Sequence, residues 1–352
     1  MKQEKASAMQ AATAWPDKIA NVDTLEEVLS RPDIVLQQEL QRLDGDIMVL
    51  GVGGKMGPSL AHMAKRAAPE KRVIGVARFS EAGLREQLQG WGIETIACDL
   101  TDRAALEALP KVKNVVFMAG MKFGSGGDLP ATWALNTYLP GLVAEVFSQS
   151  RIVAFSTGCV YPFVSLDQIG ATEDMPLTPP GEYANSCVGR ERLLQYFSAR
   201  HGTPGKLIRL NYAIDLRYGV LFDIAVQVRD GKPVDLTTGH VNVIWQGDSN
   251  RYALRALAHA TAPTTPINIS GPETLSVKWL AEEFGRRLSK DVTFTGNPAP
   301  TAWLNNAAEA MRQFGYPLVP LKLMLDWVAE WVAASRPSLN KPTKFENRDG
   351  AY

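Results

Sequence analysis

The chain has 352 residues, 45% of them hydrophobic and 21% charged, the balance of a globular protein with a sizeable core. Thirty-seven basic residues match thirty-seven acidic ones, so bulk charge points to neither nucleic acid nor an anionic membrane surface, and no apolar run is long enough to span a bilayer. Three cysteines (Cys98, Cys159, Cys187) fit a reducing, cytoplasmic setting; the four histidines lack metal-ligand spacing, and the segment 1–14, with Lys2, Glu4 and Lys5, does not read as a signal peptide.

Residues 1–44 predict a helical prefix beside the first strand. One helix covers 22–29, capped by Asp23 or Thr24, and a second covers 33–43. From 45 onward, apolar runs alternate with helical ones. Strands are expected at 47–50, 73–76, 95–98, 115–118, 152–155 and 207–210, with helices between them such as 103–108 and 132–148. Apolar strands alternating with helices indicate an α/β fold, a doubly wound parallel sheet covered on both faces. After Tyr212 the pattern turns irregular, with helices near 221–228, 249–260, 277–288 and 323–334. This predicts a smaller α/β substrate-binding domain over 212–235 and 263–334, with 236–262 returning to a dinucleotide-binding domain at 45–211. Residues 335–352 are polar, a tail or a surface wrap.

Gly51-Val52-Gly53-Gly54-Lys55-Met56-Gly57 joins the first strand to a helix from Pro58. Free backbone N–H groups and the positive end of a helix dipole meet there, which suits a pyrophosphate; the alternative is an ordinary glycine turn. The second strand ends Ala77-Arg78, with no carboxylate for a ribose 2′-hydroxyl. Arg78 would pair with a 2′-phosphate instead, which favours NADP over NAD, or it is a solvated arginine. Asp248 reads as a helix N-cap, and Trp245 and Trp303 as packed residues or as platforms for a sugar ring.

From about 46 to about 331 the chain resembles the extended short-chain dehydrogenases/reductases of the sugar epimerase/dehydratase type. The family loop Gly-x-x-Gly-x-x-Gly falls on Gly51, Gly54 and Gly57, with Gly53 extra. The resemblance implies that Asp99 and Leu100 meet the adenine edge. It puts Ala119 and Gly120 beside the cofactor, Lys122 near its pyrophosphate and Asn136 in support of the active site. It implies an NAD(P) cofactor, a small carbohydrate-like substrate and a homodimer paired through two long helices.

The family's catalytic hydroxyl falls on Thr157 and its tyrosine on Tyr183. Where the dehydratase branch carries Asp and Glu, this chain has Gly158 and Cys159, which argues against dehydration; Cys159 is a packed thiol or a thiolate base. The lysine of Tyr-x-x-x-Lys is replaced by Cys187. That lysine favours a phenolate on the tyrosine and holds the nicotinamide ribose, and a neutral thiol does neither well. Arg190 and Lys122 are the candidate replacement cations. On the substrate side, Asn211 stands one residue earlier than the family asparagine, and Arg217 with Tyr218 would take a carboxylate or hydroxyls. Two readings follow. One is an NAD(P)-dependent oxidoreductase or epimerase acting on a hydroxyl-bearing carbon of a sugar. The other is a catalytically weak NAD(P)-binding sensor or scaffold.

Overall fold

Seven apolar runs line up as one parallel sheet in the computed structural model, which describes residues 15–122, 127–341 and 343–350. The reading of segment 1–14 falls outside them. The strands are β1 (Ile47–Leu50), β2 (Val73–Ala77), β3 (Glu94–Ala97), β4 (Asn114–Phe117), β5 (Arg151–Thr157), β6 (Gly205–Leu210) and β7 (Thr265–Ile269). Their spatial order is β7-β6-β5-β4-β1-β2-β3, every pairing parallel. β1 shows why such strands read as unbroken apolar runs. Ile47 and Val49 enter one buried cluster with Leu60 and Met63, while Met48 and Leu50 enter another with Leu139, Leu142 and Phe147. The order reverses between β1 and β4, and a crevice opens there at the carboxyl ends of the strands. β7 was expected within the substrate-binding domain; its pairing with β6 makes it the seventh strand of the main sheet.

The prefix forms α1 (Val22–Leu29) and α2 (Ile34–Arg42). The α1 cap is Asn21 and not Asp23 or Thr24: Asn21 is extended, and its Oδ1 accepts the Thr24 N–H at 2.8 Å. Leu36 and Leu40 of α2 pack on the sheet. Leu25, Val28 and Leu29 of α1 join the core of the second lobe instead. The remaining helices are α3 (Gly57–Ala67), α4 (Leu84–Gly90), α5 (Arg103–Glu107), α6 (Leu129–Trp133), α7 (Leu139–Val146), α8 (Glu182–His201), α9 (Val220–Arg229), α10 (Gln246–Arg255), α11 (Val277–Leu288), α12 (Ala308–Phe314) and α13 (Leu321–Ala333). The helix expected at 132–148 is broken: a π turn, Ala134–Tyr138, joins α6 to α7.

Asp248 does not cap α10. It lies inside the first turn, and its carboxylate accepts the N–H groups of Leu318 at 2.8 Å and Val319 at 3.0 Å, tying α10 to the segment before α13. Burial pushes that carboxyl up to about 6. Residues 335–341 and 343–350 run along the second lobe. The Leu339 N–H donates to Arg217 O, and the Thr343 N–H and hydroxyl donate to Asp223 at 2.7 and 2.6 Å. Among the described residues, no helix is long and apolar enough to cross a membrane, and no cluster of His, Cys, Asp or Glu could hold a metal.

Candidate active site

The glycine loop sits at the switch point between β1 and β4. Gly51 takes φ +89°, and a Cβ there would lie 2.7 Å from the Ala119 backbone nitrogen. A Cβ on Gly57 would lie 2.3 Å from Val52 O. These two glycines are required by the fold of the loop itself. Gly53 and Gly54 are exposed and meet nothing closer than 3.4 Å, so their bare backbone faces open space. α3 begins without a side-chain cap; the Gly57 N–H donates to Gly54 O at 3.2 Å and Pro58 brings no N–H, so what the helix start offers an anion is chiefly its dipole. A cleft of about 230 Å³ opens beside the loop. Its walls include Gly54, Lys55, Lys122, Asn136, Tyr183 and Arg190. Burial pushes the Lys55 ammonium down to about 6, with the Lys122 charge adding to the shift, and burial lowers Lys122 as well. Two desolvated lysines and a bare glycine backbone at the positive end of a helix fit a diphosphate, so the residues present suit a dinucleotide.

The catalytic candidates converge on the far wall. Thr157 ends β5, and its Oγ1 accepts the Cys159 N–H at 3.1 Å, which leaves the hydroxyl proton for the Tyr183 phenol. Tyr183 enters from the first turn of α8. Burial pushes its phenol well above the ordinary range, helped by the Cys187 and Cys159 sulfurs; Arg190 and the Thr157 hydrogen bond oppose this. Cys187 is buried, hydrogen-bonded to Tyr183, and burial raises its thiol too, so it supplies no charge. Asn136 lies in the π turn, fully buried. Its Oδ1 accepts from Met121 N and Arg190 Nη2, both at 2.8 Å; its Nδ2 donates to Met121 O at 2.8 Å and Ser186 Oγ at 3.0 Å. With every polar valence committed, Asn136 positions the wall and does not touch reacting atoms.

The family model for NAD dependent epimerase/dehydratase proteins matches residues 47–237. The chain belongs to that family. It is an enzyme fold of the extended short-chain dehydrogenase/reductase kind. Solved structures share the fold at low identity. UDP-glucose 4-epimerase of Thermus thermophilus in complex with NAD is 18% identical, with TM-score 0.68, over 82% of this chain and 98% of that one. UDP-glucuronic acid 4-epimerase of Bacillus cereus with NAD gives 18% and 0.68 over 82% and 99%. dTDP-glucose 4,6-dehydratase of Bacillus anthracis with NAD gives 16% and 0.69 over 81% and 96%. No curated protein matches the sequence.

Within this family fold, Arg78 stands exposed just past β2, close enough to favour the Asp99 carboxylate. Asp99 accepts from Thr101 N and Oγ1, Leu100 is buried, and the α5 cap is Asp102. Ala119 packs on Gly51, and Met56 and Gly120 line the cleft. The substrate-side expectations fare differently. Arg217 is engaged by Asp215 and Glu26, both at 2.7 Å, so its charge is already answered and does not await a substrate carboxylate. Asn211 is buried and donates to Trp303 O at 3.1 Å. Trp303 stacks on Phe163 at 4.2 Å and Trp245 packs edge-on against Trp327 at 5.3 Å, so neither buried ring is a platform for a sugar. Tyr218 holds the Lys55 amine 3.0 Å above its ring centroid. Sequence reasoning missed the partnership of Ser186 and Phe155 with this wall; one lies three residues after Tyr183 and the other two before Thr157, but only their contacts reveal it.

Proposed function

We propose that the protein is an NAD(P)-dependent oxidoreductase or epimerase. It acts on a hydroxyl-bearing carbon of a sugar or sugar-derived substrate, with Tyr183 as acid/base and Thr157 sharing its hydrogen bond. The observation that carries this reading is Tyr183, on the wall of the cleft beside the glycine loop and hydrogen-bonded to Thr157. Gly51, Gly54, Gly57, Lys55 and Lys122 would hold the dinucleotide, which supplies the hydride acceptor or donor. Tyr183 moves the matching proton at the substrate oxygen, and Thr157 keeps the phenol oxygen aimed at it. The phenol is neutral at rest, so its ready role is that of the acid.

Arg78, with no carboxylate at the end of β2, favours NADP, whereas the solved relatives named above carry NAD. Their UDP- and dTDP-sugars are the first substrate class to test. Gly158 and Cys159 favour epimerisation or reduction over water elimination. Homodimer formation is part of the same proposal and is read by light scattering.

The neutral Cys187 supports a second reading, a cofactor-binding sensor with little turnover. A panel of sugar nucleotides and free sugars separates the two. Tyr183→Phe is expected to lose about a hundred- to ten-thousand-fold in turnover with the cofactor still bound; full activity in that variant would end the Tyr183 assignment. Denaturing the purified protein and identifying the released nucleotide reports its 2′-phosphate, and a tightly held oxidised form would favour epimerisation.

A further inference from the structure

Tyr183, Cys187 and Arg190 are spaced four and three apart on α8, so they share one face of the helix, and helical side chains lean toward its N-terminus. Arg190 is only 6% exposed. Its Nη1 donates to Phe155 O at 2.6 Å, its Nε to Asn136 O at 3.2 Å and its Nη2 to Asn136 Oδ1 at 2.8 Å. All three acceptors are neutral, and among the described residues Arg190 makes no ion pair. Yet Glu191, its neighbour in sequence, is fully buried and paired with Arg209. A cation withdrawn from water without an anion is costly and is relieved when negative charge forms beside it. The backbone is shaped to admit it: a Cβ on Gly120 would lie 2.4 Å from Arg190 Nη2 and 2.9 Å from Asn136 Oδ1.

We propose that Arg190 replaces the missing lysine in charge: held by Asn136 and Phe155 in the clearance left by Gly120, its guanidinium is the counter-charge for the negative oxygen that forms on Tyr183. The inference rests on Tyr183 being the acid/base. The groups facing that phenol are the Cys187 and Cys159 thiols, the Thr157 hydroxyl and Arg190; Lys122 reaches the two thiols from the loop after β4. Arg190 is fixed by three hydrogen bonds and stands on the helix that carries the tyrosine. A guanidinium is also a permanent charge, unlike a desolvated lysine. Arg190 is a positioning residue: it sets the charge balance of the phenol and need not touch the substrate.

The test places 3-fluorotyrosine at position 183, whose fluorine resonance moves when the phenol ionises, in protein saturated with oxidised NADP or NAD. No substrate is needed. Arg190→Gln, which keeps a donor and loses the charge, is expected to raise the midpoint by about one pH unit or more, roughly a tenfold loss of phenolate at fixed pH. Arg190→Lys, which keeps the charge, is expected to stay within about half a unit of the unaltered protein. Gly120→Ala, which leaves Arg190 in the sequence but fills its berth, is expected to shift the midpoint upward as well, and it decides the matter if Arg190→Gln does not fold. Unmoved midpoints in the folded variants, or a phenol that never ionises in the unaltered protein, would overturn the proposal. Failure of the acid/base reading itself is a separate result, an active Tyr183→Phe enzyme.

Discussion

Two buried arginines meet α8 at neighbouring residues and are held in opposite ways. Arg209, from β6, forks onto Glu191 with Nη2 at 2.7 Å from Oε2, while Ser156 Oγ donates to the same carboxylate at 2.6 Å. Arg209 also donates to the Tyr161 hydroxyl at 2.7 Å, and that hydroxyl donates to Asn268 Oδ1 at 2.7 Å. The cluster is closed: each charge has its opposite. Arg190 faces the cleft with neutral oxygens alone around it. The closed cluster fixes α8 against the sheet; the open one leaves a positive charge on the cleft wall that also carries Tyr183. The difference teaches that burial of a charge does not reveal its purpose, whereas the presence or absence of a counter-charge does.

The sharpest way to break this contrast is by stability. Glu191→Gln leaves Arg209 buried without a carboxylate and is expected to cost about 3–5 kcal/mol in chemical denaturation. Arg190→Gln removes a charge that had no partner, leaves at most a few weakened acceptor contacts, and is expected to cost about 1–3 kcal/mol. Equal losses would mean that both arginines are structural. A smaller effect concerns the cofactor: Arg78→Ala is expected to weaken NADP binding roughly ten- to a hundredfold while leaving NAD within about twofold, checked by calorimetric titration of each nucleotide.

The smallest effect is protonic and falls on the lysines at the loop. Lys55 is pushed down to about 6, so in the cofactor-free protein it is largely neutral at pH 8. Because its folded value lies below the ordinary 10.5, the folded state holds fewer protons than the unfolded one across that window. Stability of the empty protein therefore rises with pH from about 6 and is lost as pH falls back toward it. A diphosphate anion restores the ammonium, so cofactor binding at pH 8 is expected to take up about one proton. Calorimetry in two buffers of different ionisation enthalpy reads this, and Lys55→Met should remove it. Uptake that persists in Lys55→Met would move the effect to Lys122, whose charge is disfavoured in the same direction.

The parts of this molecule legible in the sequence are those fixed by near neighbours. Strands buried on both faces must be apolar throughout, so β1, β2 and β4 stand out as runs, and the glycines at 51 and 57 mark a turn that tolerates no side chain. Thr157 and Tyr183 match a family pattern in their spacing, and in the fold a hydrogen bond joins them. What was not legible depends on partners far away in the chain. Arg217 looked available for a substrate because nothing local showed that Glu26, in the prefix, would reach it. Asp248 resembled a cap because helix starts and acidic residues go together, but its two N–H donors come from 318 and 319. Arg190 stood with Lys122 as a candidate cation, and the sequence could not choose between them; what holds Arg190 is Asn136 and the clearance at Gly120, both far from it in the chain.

That clearance also constrains how the sequence can drift. With the guanidinium in place, position 120 tolerates no side chain, since even a methyl group would fall 2.4 Å from Nη2. The two positions are therefore expected to vary together: a glycine at 120 leaves room for the arginine at 190, and a side chain at 120 crowds it. A lineage that gave up the lysine at 187 before acquiring both would have passed through a form with no fixed cation on α8 beside its tyrosine. Related chains that carry a cysteine at 187 should then keep glycine and arginine together, and those that restore the lysine should be free to lose both.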